Sequence, residues 1–396
     1  MNLNYITDSL EDKGWVLTQH KLINKLLPPR KIKLLPHSPP NEKIHLGFVS
    51  GDFVDHPVSF FIRGILETLD RNEFEIYLYS ETVVDSGKLP KDTKFNLIKN
   101  KKSEDVFKLM HDDHRIDILF DLSGHTAFNR LDIFNYRCAP IQITWIGYPN
   151  TTGLENMDYR ITDPVVDPVG KVERYYTERL LRMPDCFLNY STPIVPQLSQ
   201  TPFLQNGFIT FGCYNRLNKI SDEVIRCWNS LLETIPNCRI RFKTKALLNK
   251  EVISKFLSQF GENKNRIDIV ECTTDHTKHL LSYNDVDIAL DTFPYSGTTT
   301  SCEALLMGVP PFTLRDTTHN LHAQNVTCSL LHSSDLDFYI CDTIDEMVKK
   351  CLQLTQRTRD EWNVSKEKIR EHFLNGKVCD KENFTRDFVK LVKDLN

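Results

Sequence analysis

The chain has 396 residues, 40% hydrophobic and 26% charged, which are the proportions of a soluble globular protein with two or three domains. Its 49 Lys and Arg against 53 Asp and Glu give a formal charge of -4, so no global basic field exists to attract nucleic acid. No apolar run approaches the roughly 20 residues that span a bilayer. Asp8, Glu11, Asp12 and Lys13 fall where a signal peptide has its apolar core, so the reading is a cytoplasmic protein, with the nucleus also open to it and no membrane partner.

Residues 1–43 are mixed in character and end in Pro28-Pro29, Pro36 and Pro39-Pro40, which predicts an extended lead-in. From Ile44 the pattern changes. Short β-branched and aromatic runs at Ile44–Ser50, Phe74–Ser80, Ile116–Leu122 and Ile141–Trp145 alternate with helical stretches such as Phe60, Phe61, Ile65 and Leu69. That alternation predicts a parallel sheet covered on both faces. After the polar segment Ser191–Pro202 a second series follows, with strands at Ile209–Gly212, Ile240–Lys243, Ile267–Val270 and Val286–Leu290. Val224, Ile225, Trp228, Leu231 and Leu232 recur at helical spacing behind a cap at Ser221 or Asp222, and Thr358–Phe373 reads as a charged helix. The expected fold is α/β, with two Rossmann-like lobes over 44–200 and 201–396 and a ligand cleft between them.

Eleven cysteines lie singly between Cys138 and Cys379, with no Cys-x-x-Cys pair. They read as free buried thiols rather than disulfides or a zinc site.

The most informative segment runs from Asp287 to Glu303. A strand ends near Asp291, a turn with Pro294 and Gly297 follows, and Thr298, Thr299 and Thr300 open a helix closed by Gly308 and Pro310. Hydroxyls at a helix start, with free N–H groups and a positive dipole end, suit a phosphate, although threonines there also serve simply as caps. Glu303, one turn further in, is placed to accept ribose hydroxyls. Neither a P-loop nor a Gly-x-Gly-x-x-Gly fingerprint is present.

Asn215, Arg216 and Lys219 follow the first strand of the second lobe. There Lys219 is a point charge for a diphosphate, or else a solvated loop lysine. His56 and His125 follow two strands of the first lobe and suit proton transfer. Metal signals are weak: Asp285-Val-Asp287 runs into an apolar strand instead of ending one. His111–His114 and the pair His319 and His322 lack further ligands at a recognisable spacing, so no catalytic metal is expected.

Taken together, these strings resemble the catalytic region of the O-GlcNAc transferase and SPINDLY family of protein O-glycosyltransferases, over residues 44 to 390. The markers are Phe48–Phe53 with His56, Gly124–Thr126, Ala139–Pro149, Met157–Asp163, Asn215 with Lys219, and Leu290–Glu303. Asn150–Gly153, Met183–Leu188, Asp291–Gly297 and His322–Val326 are similar to the SPINDLY branch in particular.

The resemblance implies a GT-B arrangement and inverting, metal-independent transfer from a nucleotide sugar to Ser or Thr hydroxyls of a protein or peptide, without a cofactor. It implies diphosphate contacts at Thr298, Thr299, Thr300 and Lys219, ribose at Glu303, nucleobase at His279, acceptor-side chemistry at His56 and a sugar-side loop at His125. GDP-fucose is the leading donor and UDP-GlcNAc the alternative, with a non-catalytic nucleotide-sugar-binding protein as a further alternative. Three departures stand out. No repeat near the roughly 34-residue tetratricopeptide period is found, and at most a remnant fits in 1–43. Arg216 stands where family members carry Gln or Asn beside the donor, and Thr298 replaces the histidine of animal O-GlcNAc transferase.

Overall fold

The computed structural model describes residues 13–30, 42–53, 56–84, 89–244 and 249–395. Its backbone divides into two units, Met1–Ser191 with Asp380–Asn396, and Thr192–Cys379.

Among the described residues, the first unit is built on seven strands: β1 Ile44–Val49, β2 Phe74–Ser80, β3 Thr93–Leu97, β4 Ile118–Asp121, β5 Ile141–Thr144, β6 Tyr159–Thr162 and β7 Arg179–Arg182. They pair in parallel in the order β3-β2-β1-β4-β5-β6-β7. The central strands are buried residue after residue because helices cover both faces, so their sequences run apolar instead of alternating. The second unit repeats the plan with β8 Ile209–Cys213, β9 Cys238–Phe242, β10 Ile267–Ile269, β11 Ile288–Leu290, β12 Pro311–Leu314 and β13 Ile340–Cys341. Its order is β10-β9-β8-β11-β12-β13, again parallel throughout.

Both sheets grow outward from their first strand and then reverse to its other side, at β1/β4 and at β8/β11. Connections on the two sides of such a reversal leave toward opposite faces. The carboxyl ends of those two strands are therefore left open to a ligand.

Two expectations, on the last helix and on Thr358–Phe373, need correction. The proline-rich lead-in is preceded by helices at Lys13–Lys21 and Ile23–Leu26; Pro28 and Pro29 lie in neither helix nor strand, and Pro36, Pro39 and Pro40 lie outside the described residues. Asn24 Nδ2 donates to Gly153 O at 2.6 Å, and Arg30 N to Asn135 O at 2.9 Å, so this stretch packs on the first unit. The last helix, Lys381–Lys393, belongs to the first unit rather than to the second. Its Phe384 and Phe388, one turn apart, stack on Trp145 with centroids 6.1 and 5.7 Å away, and Phe388 lies 5.5 Å from Phe120. That aromatic stripe buries itself against the first sheet, at β4 and at the end of β5. The predicted helix at Thr358–Phe373 is two helices, Arg359–Asn363 and Ser365–Asn375, the first opened by a capping box between Thr358 and Glu361.

Two other expectations, the Ser221-capped helix and the free cysteines, hold. Ser221 caps the helix Asp222–Thr234, which buries Val224, Ile225, Trp228, Leu231 and Leu232. All eleven cysteines are free, and only Cys272 and Cys379 are not fully buried. No helix among the described residues is long and apolar enough to cross a membrane.

Candidate functional site

In the second unit the chain leaves β8 through Tyr214, Asn215 and Arg216 to a short 3-10 turn, Leu217–Lys219. From β11 it leaves through Asp291 to the helix Thr299–Leu306. These are the two strand ends at the reversal. Asp291 organises the space between them. Its carboxylate accepts from the backbone N–H of Gly297 at 2.6 Å and Thr292 at 2.8 Å, from the Thr313 hydroxyl at 2.8 Å, and more distantly from Asn215 Nδ2 at 3.4 Å. Burial pushes its carboxyl up while those donors oppose the rise. Asn215 Oδ1 in turn accepts the Thr300 hydroxyl at 2.8 Å, tying the β8 loop to the helix start. Gly297 keeps this turn tight: a Cβ there would lie 2.5 Å from Ser301 Oγ and 2.7 Å from Thr300 Oγ1, so both hydroxyls would have to move.

Thr298 is the N-cap residue of that helix, yet its side chain makes no capping hydrogen bond. The threonine row is therefore not explained as a cap. The first-turn amides point out of the helix start, as at any helix, beside hydroxyls that are half-buried and accessible. Lys219 joins them. Its Nζ donates to Ser296 O at 2.6 Å and sits 3.9 Å from the centroid of the Tyr295 ring. It is a held lysine, not a solvated one, and burial lowers its pKa to about 8 although Asp291 favours the charged form. Arg216, three residues earlier in the same loop, is exposed.

Glu303 is 5% exposed and clamped by two histidines of the helix His276–Leu281. His276 Nε2 lies 3.1 Å from one carboxylate oxygen and His279 Nε2 3.0 Å from the other. Burial alone would raise the Glu303 pKa, but the hydrogen bonds from the two histidines outweigh it and hold the carboxyl below its usual range. The His279 ring also packs beside Tyr214 and Tyr283, at 5.9 and 5.8 Å between centroids. Asn215, Lys219, His279, Thr298, Thr299, Thr300 and Glu303 thus gather around one strand reversal.

The first unit has an equivalent place beyond β1 and β4. His56 is the N-cap of Pro57–Thr68; its Nδ1 lies 3.4 Å from both Val58 N and Asp52 Oδ2. Burial raises the Asp52 carboxyl, and His56 opposes that rise. Val54 and Asp55 lie outside the described residues. His125 bonds Thr152 O through Nε2 at 2.7 Å, which requires a proton on that nitrogen, and packs edge-on against Tyr148 and His20. His20, from the N-terminal helix, was not singled out from the sequence. It is buried, with Nδ1 at 2.8 Å from Val16 O and Nε2 at 2.9 Å from the Tyr148 hydroxyl.

Burial lowers the His20 pKa from 6.5 to about 4. The unfolded chain then binds more protons than the folded one between those values, so stability falls as pH drops from 6.5 toward 4, by about 3 kcal/mol. Thermal melts of the wild type and His20→Gln across this range check it. The variant should lose much of the pH slope; identical slopes would remove His20 as its cause.

The Asp-x-Asp pair is used structurally. Asp287 accepts from Phe203 N at 2.9 Å and Thr210 N at 2.8 Å, and Asp285 pairs with Arg241 at 2.6 Å. Among the described residues no group of three or more His, Cys, Asp or Glu is placed to hold a metal ion.

The family model of glycosyl transferase family 41 matches residues 33–192 and 189–388, nearly the whole chain. The chain belongs to glycosyltransferase family 41. Within the family it is similar to the Arabidopsis thaliana protein named as probable UDP-N-acetylglucosamine–peptide N-acetylglucosaminyltransferase SPINDLY, 37% identical over 89% of this chain and 39% of that protein. The chain spans about two fifths of the length of the curated SPINDLY relatives it matches. A mutant of the Thermobaculum terrenum O-GlcNAc transferase superposes with a TM-score of 0.89 at 30% identity, covering 99% of this chain and 75% of that one. Anabaena HepE with UDP and glucose shares the fold alone, with a TM-score of 0.55 at 9% identity over 89% of this chain and all of that one. The expected family and its GT-B fold class are therefore correct.

For a family 41 chain, sequence reasoning missed three supports of the site: Asp291, His276 and Tyr295. His276 had a readable signal, since it stands three residues before His279 and shares its helix face. Asp291 and Tyr295 lie within the Asp291–Gly297 string, but its order does not show their role, which lies in what they touch.

Proposed function

We propose that this chain is an inverting protein O-glycosyltransferase that moves a sugar from a nucleoside diphosphate to Ser or Thr hydroxyls of peptide acceptors. The observation that carries the reading is the meeting of a held lysine, an uncapped threonine helix start and a histidine-clamped carboxylate at one strand reversal. In a single displacement the acceptor oxygen bonds to the anomeric carbon, the sugar–phosphate bond breaks, and its electron pair leaves with the diphosphate. That negative charge is stabilised by Lys219, by the first-turn amides of Thr298, Thr299 and Thr300, and by the Thr298 and Thr299 hydroxyls, while the Thr300 hydroxyl is given to Asn215. Glu303 accepts from the ribose, with His279 at the nucleobase. The acceptor proton goes to His56, and the nearby Asp52 carboxylate stabilises the imidazolium that forms. His125 lines the sugar side.

Lysine and helix charge do the work a divalent ion does in other transferases, so transfer is metal-independent. Turnover unchanged by EDTA is the expected result; loss restored by Mn²⁺ or Mg²⁺ would overturn it.

The donor is GDP-fucose, with UDP-N-acetylglucosamine as the second reading. Thr298 in place of a histidine and the SPINDLY-like strings support the first, and the names of the relatives support the second. Diphosphate and ribose contacts bind either nucleotide. Choice comes from pairing at the base edge, where one buried unpaired group costs about 1–3 kcal/mol. GDP is therefore expected to bind at least about tenfold more tightly than UDP in calorimetric titrations. Equal or tighter UDP moves the donor to UDP-N-acetylglucosamine. Mass spectrometry of peptides incubated with each donor tests the transfer itself, and no modified peptide with either donor would defeat it.

A further inference from the structure

The Lys219 ammonium owes its place to two consecutive residues of the β11 loop, the Ser296 carbonyl and the Tyr295 ring. The loop itself is fixed on both sides. The Thr292 hydroxyl donates to Tyr295 O at 2.7 Å, and Ser296 N and Oγ both reach Ala323 O at 2.9 Å. Asp291 holds the next residue through Gly297 N. The ring is thus a platform anchored to the same turn that begins the threonine helix. A lysine side chain is long and freely rotating, and one hydrogen bond to a carbonyl leaves its head group free to swivel. An aromatic face beneath the ammonium removes that freedom, because the ring quadrupole attracts the cation.

We infer that Tyr295 is a positioning residue for the transfer: its ring holds the Lys219 ammonium at the start of the threonine helix before the leaving diphosphate develops its charge. The inference rests on the function proposed above. It assigns Tyr295 no contact with substrate; the ring acts through Lys219. The charged and titratable groups around that ammonium are Asp291, Arg216 and the Cys213 thiol. Asp291 favours the cation, whereas the Arg216 charge and burial oppose it. The ring therefore acts on a lysine that already titrates near physiological pH, where a modest change in its surroundings alters the charged fraction.

Tyr295→Leu removes the face and Tyr295→Phe keeps it. The Leu variant is expected to lose about 3- to 30-fold in kcat, with little change in KM for the donor. The alkaline limb of its kcat/KM profile moves to lower pH by about half a unit to one unit, because the ring favours the charged form. The Phe variant stays near wild type in both. Pentafluorophenylalanine at 295, with the ring's shape and an inverted quadrupole, behaves like Leu and serves where the Leu variant is unstable.

A second measurement needs no turnover: calorimetric titration of UDP and GDP from pH 6 to 9.5. Affinity falls as Lys219 loses its proton, and in Tyr295→Leu the fall begins at lower pH. If the wild type transfers no sugar, the proposed function fails, and this binding arm still decides Tyr295. A Leu variant with wild-type kcat, limb and titration overturns the inference. So does a Phe variant as impaired as Leu, since the hydroxyl and not the ring face would then be responsible.

Discussion

Lys219→Ala is expected to lower kcat by about 10²- to 10³-fold while the protein remains folded. Removing one fixed partner of a developing negative charge in a preorganised site costs about 3–4 kcal/mol of barrier. The fold should tolerate the change for a specific reason. Lys219 ends a three-residue turn, and the buried Asp291 that feels its charge keeps Gly297 N, Thr292 N and the Thr313 hydroxyl as hydrogen-bond donors. Thermal melting and far-UV circular dichroism should match the wild type. The pH profile gives a second handle. Burial lowers the Lys219 pKa to about 8 in the free protein, and the ammonium is the active form. Wild-type kcat/KM therefore declines as pH rises through about 8, and the residual activity of the alanine variant loses that limb. Near-normal turnover in a folded variant would sink the assignment.

Asp291→Ala should do the opposite, taking the structure with it. Its carboxylate is 4% exposed and receives two backbone amides and one hydroxyl at 2.6–2.8 Å. Alanine leaves those donors buried without partners, at about 1–3 kcal/mol each when no water replaces the acceptor. Some relaxation is certain, so a net loss of about 3–5 kcal/mol is expected. For a unit of this size that lowers Tm by roughly 6–20 °C. Nucleotide binding should vanish in the folded fraction, because the Gly297 turn, Asn215 and Thr300 all lose their common anchor. Asp291→Asn keeps one carbonyl acceptor and should fall between the two. A melt of Asp291→Ala within a degree of wild type would show that the carboxylate does not organise the turn.

The contrast between these two residues shows what could be read in advance. Lys219 stands out by its position after a strand and by the family resemblance, but composition alone favours a solvated loop lysine there. Only the Tyr295 ring and the Ser296 carbonyl separate the two readings. Glu303 was placed near a ribose, yet nothing in the order of residues joined it to His276, 27 positions earlier. The strands that went unread have local causes as well. β3 is a partly exposed edge, β7 carries Arg at both ends, β13 has two residues, and β6 and β12 have four each, with Arg160 inside the one and Pro311 opening the other, so none shows a long apolar run.

Local order along the chain determined the class of fold, the alternation of strand and helix, the Ser221 cap and the helix that opens at the threonine row. These depend on residues a few positions apart, where periodicity and capping chemistry act directly. The family strings added the chemistry, because they are long, ordered and unusual in composition. The tertiary structure alone decided that the last helix joins the first unit, since Phe384 and Phe388 need Trp145 and Phe120, more than 200 residues away, to bury their rings. It alone decided that Asp291 is the anchor of the site and that His20 lies against His125. A buried charge or ring takes its meaning from the partners that replace its water, and parallel sheets bring those partners from strand ends far apart in sequence.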